Sequence, residues 1–108
     1  MRPRFPLGKV TVKEEAALAL TLAGQDAGFF LDMHAAGTWG DGNPAQNERG
    51  LREGSLVWSK YRTLRGHKIM VVTFPDRGET FVFTPPNSVI KYVPLPDLAI
   101  WRQQGDSR

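Results

Sequence analysis

The spacing of apolar residues changes along this chain, from a helical period in the first half to strand-like runs in the second. Ala27, Phe30, Leu31 and His34 follow at intervals of three and four residues, which places them on one face of a predicted helix that ends at Gly37. In the second half, β-branched and aromatic residues dominate short runs that glycine-containing turns separate. Helices followed by strands are typical of an α+β domain.

Two more helices are predicted on either side of this one. The first begins at a capping box formed by Thr11 and Glu14, and it ends at Gly24, since glycine readily adopts the left-handed conformation that follows a helix. The other is short and polar, spans residues 45–53, and ends at Gly54.

Three runs predict β-strands at residues 56–62, 68–74 and 80–84. The connections between them have hairpin length, so the strands should pair consecutively as an antiparallel meander. Residues 8–12 are predicted to form a short strand or extended segment before the first helix. We therefore predict an α+β fold with two or three N-terminal helices packed on a three- to four-stranded antiparallel meander, and a short C-terminal helix.

The C-terminal extension 87–108 follows two prolines that stop the third strand. Residues 89–93 predict an edge strand, and a short helix is predicted through Trp101. A chain of 108 residues fits one domain. We predict that this domain spans 1–104 and that the polar tail 105–108 is frayed.

Composition excludes several kinds of chemistry. The chain has no cysteine, so it forms no disulfide, thiolate nucleophile or cysteine-ligated zinc site. His34 and His67 are far apart and lack the spacing of metal ligands, so we expect neither a metal nor a cofactor. No segment is long and apolar enough for a membrane span and no signal peptide is indicated, so we expect a cytoplasmic protein without a membrane partner.

Positive charges concentrate in the first predicted hairpin. The net charge is +3, and residues 55–75 contain no acid. Cations interleaved with aromatic residues could follow a phosphate backbone and stack bases, so RNA or DNA is a candidate partner. A charged edge that prevents strand-to-strand aggregation would give the same pattern. The candidate nucleic-acid-binding residues are Trp58, Lys60, Tyr61, Arg62, Arg65 and Lys68.

Several short motifs follow one another along most of the chain. Residues 34–41 read His-x-x-Gly-x-Trp-Gly-Asp, and residues 76–80 read Asp-Arg-x-x-Thr. Other motif residues are Phe5-Pro6-Leu7-Gly8, Asn47 with residues 51–54, Ser59 with Tyr61, and Thr73. Over residues 5–85, this order resembles a family of small bacterial proteins labelled plasmid-related.

The resemblance implies an accessory protein of a bacterial mobile element, and it implies no reaction because the family has no established activity. The chain departs from the family pattern in two places. Phe74 and Pro75 replace an acidic residue that precedes the Asp-Arg pair, and the extension 87–108 continues beyond the family's usual ending. A role for that acidic residue therefore does not carry over to this chain.

Polar residues of these motifs could form one site. His34 could act as a general base or bond the last carbonyls of its helix. Arg77 could clamp a phosphate or carboxylate, or it could hold an ordinary hairpin turn. The candidate catalytic residues are His34, Arg77 and Thr80, and the candidate ligand- or partner-binding residues are His34, Trp39, Asn47 and Arg77.

Three hypotheses on function follow. We favour a binding module for nucleic acid or a protein partner, which needs no chemistry. The second is a small metal-independent toxin-like ribonuclease, in which His34 removes the 2′-hydroxyl proton, Arg77 and Lys60 stabilise the phosphorane, and Thr80 orients the phosphate. The third is a purely structural or regulatory protein-binding domain. A cleft that unites His34, Arg77 and Thr80 would favour catalysis.

Overall fold

The computed structural model describes residues 2–86, which form three helices and four strands. The prediction of an α+β fold is confirmed. The predicted strand at 89–93, the helix through Trp101, and the tail 105–108 lie outside the described residues. In chain order the elements are β1 (Lys9–Val12), α1 (Glu14–Ala23), α2 (Ala27–Ala36), α3 (Pro44–Glu53), β2 (Val57–Arg62), β3 (Lys68–Thr73) and β4 (Glu79–Phe83).

The helices end where the glycines predicted. Gly24, Gly37 and Gly54 follow α1, α2 and α3 in the left-handed conformation. The predicted capping box at Thr11 is wrong, because the residue that precedes α1 is Lys13, which makes no side-chain cap bond. Thr11 belongs to β1 instead, where it pairs with β4.

The four strands form one sheet in the order β1-β4-β3-β2. Antiparallel pairing of β2 with β3 and of β3 with β4 confirms the predicted meander. The expectation of a purely antiparallel sheet is wrong, because β1 pairs with β4 in parallel and makes the sheet mixed. Three helices and a hairpin separate β1 from β4 in the chain, and a connection of this length permits parallel pairing, which a tight turn does not.

Gly8 allows β1 to dock beside β4. Its φ of +65° is in the left-handed region, and a Cβ atom built on it would lie 2.3 Å from the backbone of Gly78. The next residue, Lys9, donates its backbone N–H to the Gly78 carbonyl at 2.9 Å. Only glycine combines this conformation with so close an approach of two backbones.

The helices cover one face of the sheet, which we call the inner face. Its strand residues alternate with those of the opposite, outer face. The main core cluster joins α1 and α2 to inner-face residues and consists of Ala16, Ala19, Leu20, Phe30, Tyr61, Ile69, Val71 and Val82. A second cluster beside it contains Phe5, Trp39 and Val57.

Candidate functional site

A chain of hydrogen bonds runs through the interior between α2 and the sheet. Nδ1 of His34 bonds the hydroxyl of Ser59 on β2, and its Nε2 lies 2.9 Å from Oγ1 of Thr73 on β3. Oγ1 of Thr73 lies 2.7 Å from Oγ1 of Thr80 on β4. The Thr80 hydroxyl donates to the carbonyl of Leu7 at 2.7 Å. The four side chains of this network have 0% exposed surface.

The direction of every bond in the network follows from its last member. A carbonyl only accepts, so the single hydroxyl proton of Thr80 points to Leu7, and Thr80 must accept from Thr73. Thr73 then accepts from Nε2–H of His34, and Nδ1 of His34 accepts from the Ser59 hydroxyl. The network therefore fits a neutral imidazole. In agreement, burial and the nearby Arg77 cation lower the pKa of His34 to about 4.

Trp39 and Asn47 fix backbone groups around this network. The indole Nε1 of Trp39 donates to the carbonyl of His34 at 3.0 Å. The Asn47 side chain donates to the carbonyl of Trp58 at 2.6 Å and accepts from its backbone N–H at 3.1 Å. An amide that bonds both groups of one residue imitates a neighbouring strand, so Asn47 closes this position on the edge of β2.

Arg77 uses its guanidinium within the protein. It donates to the carbonyl of Ser55 at 2.6 Å, to that of Gly50 at 3.0 Å, and to that of Phe74 at 3.2 Å. Its guanidinium carbon lies 5.8 Å from the ring centroid of Phe5. These bonds tie the β3–β4 turn to the end of α3, and they stabilise a backbone with the unusual φ of +59°.

The candidate residues thus lie close together, and all of them except Arg77 are buried. A general base must contact the proton that it removes, and His34 and Thr80 have no exposed surface. Both terminal nitrogens of the Arg77 guanidinium, Nη1 and Nη2, donate to carbonyls of the protein. A structural role explains all of these contacts, and this geometry gives no support to a ribonuclease mechanism.

The outer face of the sheet has a different character. Cross-strand register places Trp58, Val72 and Phe81 in one row across β2, β3 and β4. The next row contains Lys60, Met70 and Phe83, and all six side chains are partly exposed. Aromatic and aliphatic surface is thus open at the centre of the face.

Cations surround this apolar surface. Arg62 and Lys68 lie directly opposite each other on β2 and β3, where like charges repel. At the other side of the face, Nζ of Lys13 lies 4.9 Å from the centroid of the Phe81 ring. Among residues 2–86, the only ion pair joins Arg4 to Glu48, at 2.8 Å. The outer-face charges are Lys9, Lys13, Lys60, Arg62 and Lys68, with Glu79 as the acid on β4.

Comparison with protein-family models, curated proteins and solved structures yields no match. The resemblance to the plasmid-related family therefore stays a prediction. Within the described part of the chain, no cluster of histidine and acidic side chains could hold a metal ion. No helix there has the length and apolar character to cross a membrane.

Two of the predicted nucleic-acid-binding residues lie away from the outer face. Tyr61 is buried on the inner face, where its hydroxyl donates to the carbonyl of Thr38 at 2.6 Å and burial raises its pKa to about 12. Arg65 lies in the hairpin turn and donates to the carbonyl of Leu22 at 3.4 Å. Trp58, Lys60, Arg62 and Lys68 remain together on the outer face.

Sequence reasoning missed other residues of this face. Phe81 and Phe83 were predicted only as strand residues, although alternation along β4 assigns them to one side. Apolar residues occur on both sides of β4, so hydrophobicity alone does not distinguish them. Lys9 and Lys13 join the face only through the parallel pairing of β1.

Proposed function

We propose that this protein is a binding module for single-stranded nucleic acid and that the outer face of the sheet is its contact surface. The observation that carries the proposal is the register of Trp58, Val72 and Phe81 in one row across three strands. Aromatic rings on an open sheet can stack with bases, and this stacking tolerates any base sequence. As the family resemblance implies, such a module would serve a bacterial mobile element as an accessory protein.

The charge distribution supports a polyanionic ligand. Arg62 and Lys68 repel each other across the strands, and a phosphate between them would relieve this repulsion. Lys13 places its ammonium group over the Phe81 ring. A base that stacks on this ring would displace the ammonium, which would then lie close to the phosphate next to that base. Cations therefore border the aromatic and aliphatic surface on one continuous face.

The aromatic surface also selects the form of the nucleic acid. Bases inside a duplex are stacked on their neighbours and present only their edges, whereas unpaired bases can turn a ring face towards the protein. We therefore expect a single-stranded 12-mer to bind more tightly than a duplex of the same sequence.

The test is fluorescence anisotropy of a labelled 12-nucleotide poly-U RNA at low salt, with Arg62→Glu/Lys68→Glu as the variant. We expect the variant to bind about tenfold more weakly, because two phosphate contacts are replaced by repulsion. The matched control is Arg2→Glu/Arg52→Glu, since both of these residues are exposed and lie outside the outer-face set. Each double change lowers the net charge by four, from +3 to −1.

The control separates the effect of where the charges lie from the effect of the net charge of the protein. If both variants weaken binding equally, attraction is a property of the overall charge and the proposed face has no special role. If the wild-type protein binds the duplex as tightly as the single strand, stacking on the outer face is contradicted. Retained binding of the control with loss in the Arg62/Lys68 variant supports the proposal.

A further inference from the structure

The two edges of the sheet differ in how their backbone groups are satisfied. On the β2 edge, Asn47 bonds both backbone groups of Trp58. The backbone N–H of Lys60 donates to the carbonyl of Trp39 at 3.2 Å, and the backbone C=O of Lys60 accepts from the N–H of Asp41 at 2.8 Å. The protein's own loop and helix therefore occupy most of this edge, as expected for a strand protected against added chains.

Among residues 2–86, no segment covers the β1 edge. In a parallel pair, alternate residues direct their N–H and C=O to the neighbouring strand. Lys9 and Lys13 do so, since their backbone N–H groups donate to the carbonyls of Gly78 and Val82 at 2.9 Å and 2.8 Å. The residues between them that point the other way are Val10 and Val12. Outside the pairing of β1 with β4, no hydrogen bond within residues 2–86 involves the backbone N–H or C=O of Val10 or Val12.

An apolar groove lies beside this open edge. Its volume is about 710 Å³, and Val10, which is 38% exposed, forms part of its wall. The remaining wall comes from the N-terminal segment and α2, and includes Phe5, Pro6, Leu7, Asp32 and Ala35. A strand added to β1 would direct every second side chain to the side on which this groove lies.

Charge argues against a second copy of the chain as the occupant. Two β1 strands paired about a two-fold axis would match Val10 with Val12 of the second copy, with Thr11 at the centre. The same register sets Lys9 opposite Lys13 of the second copy at both ends. Like charges directly opposite each other destabilise a strand pair, and edge lysines are a common device against self-association.

We propose that the β1 edge binds an extended segment of a protein partner by strand addition, and that this segment carries two acids that flank two apolar residues. The pattern is acid, apolar, any residue, apolar, acid. The apolar residues lie opposite Val10 and Val12 on the groove side, and the acids lie opposite Lys9 and Lys13. The pattern reads the same in both directions, so it suits parallel and antiparallel addition.

The probe is a synthetic peptide, acetyl-Ser-Glu-Val-Thr-Val-Glu-Ser-amide, titrated into the full chain and followed by NMR. We expect saturable binding in which the amides of Val10 and Val12 shift and become protected from exchange. The amides of Trp58 and Lys60, which already have partners, should not change. In antiparallel addition the N–H groups of the two peptide valines face the edge, whereas in parallel addition those of the threonine and the second glutamate do. Of two peptides, one N-methylated at both valines and the other at threonine and the second glutamate, one should therefore lose binding.

A charge exchange gives the second readout. Lys9→Glu/Lys13→Glu should bind the acidic peptide about tenfold more weakly and should instead bind the peptide in which both acids are replaced by lysine. Arg62→Glu/Lys68→Glu should bind the acidic peptide like the wild type, so failure here and failure of nucleic-acid binding are distinguishable.

Three results would each overturn the proposal. They are unshifted Val10 and Val12 amides at about 1 mM peptide, binding that neither pattern of N-methylation reduces, and the absence of a reversed preference in the Lys9/Lys13 variant.

Discussion

Nε2 of His34 lies 2.9 Å from Oγ1 of Thr73, although 39 positions separate the two residues in the chain. This bond is the central link of the buried network that connects α2 with three strands and the N-terminal segment. Every proton in the network is assigned when the imidazole is neutral. The network is therefore sensitive both to the loss of a hydroxyl and to protonation.

Thr73→Val should destabilise the fold. Valine keeps the shape of threonine but removes the hydroxyl, so Nε2–H of His34 loses its acceptor and Thr80 loses a donor. An unsatisfied buried polar group costs about 1–3 kcal/mol, which urea unfolding would detect. Thr21→Val is the control, because Thr21 is exposed on α1. Equal stabilities of the two variants would contradict the structural role of the network.

The free energy of unfolding should decrease as the pH is lowered, because His34 titrates. Its pKa is about 4 in the folded protein and 6.5 ordinarily, so between these values the unfolded chain binds more protons. The stabilisation is complete above pH 6.5 and is lost as the pH falls towards 4, by roughly 3 kcal/mol in total. Urea unfolding of His34→Gln should lack this component, whereas His67→Gln should retain it. Identical pH profiles for His34→Gln and the wild type would refute this assignment.

Gly8→Ala should be far more damaging than Gly24→Ala. The two glycines have nearly the same φ, +65° and +67°, but a Cβ atom at Gly8 would meet Gly78 whereas nothing lies within 4 Å of one at Gly24. The shared conformational cost is about 1–2 kcal/mol. Gly8→Ala adds a clash that separates β1 from β4, and hydrogen exchange at Thr11 would report it. Similar thermal unfolding of both variants would contradict this docking.

The elements with local signals could be predicted from the sequence. Gly24, Gly37 and Gly54 marked the helix ends, and turns of hairpin length marked the meander. The parallel pairing of β1 had no local signal, because its partner β4 lies about seventy residues further along the chain. The Thr11 capping box failed for the same reason, since pairing in the sheet overrode a local capping pattern.

In the candidate site too, features with a local signal in the sequence could be predicted, whereas those that depend on distant residues could not. Alternation along β2 could have separated Tyr61 from Trp58, Lys60 and Arg62, because neighbouring strand residues face opposite sides. The role of His34 could not be predicted, since its partners Ser59 and Thr73 come from distant strands. Polar motif residues suggested a surface site, whereas hydrogen bonding inside the core accounts for them.

The outer face as a nucleic-acid surface is tested most directly by the indole signals in an NMR titration with the 12-nucleotide poly-U RNA. Trp58 lies on the outer face, whereas Trp39 is buried and donates its indole N–H to the carbonyl of His34. The third tryptophan, Trp101, is assigned with a Trp101→Phe variant. We predict that the Trp58 indole signal shifts on binding while that of Trp39 stays in place. A titration that shows binding but leaves the Trp58 signal unchanged would contradict the account.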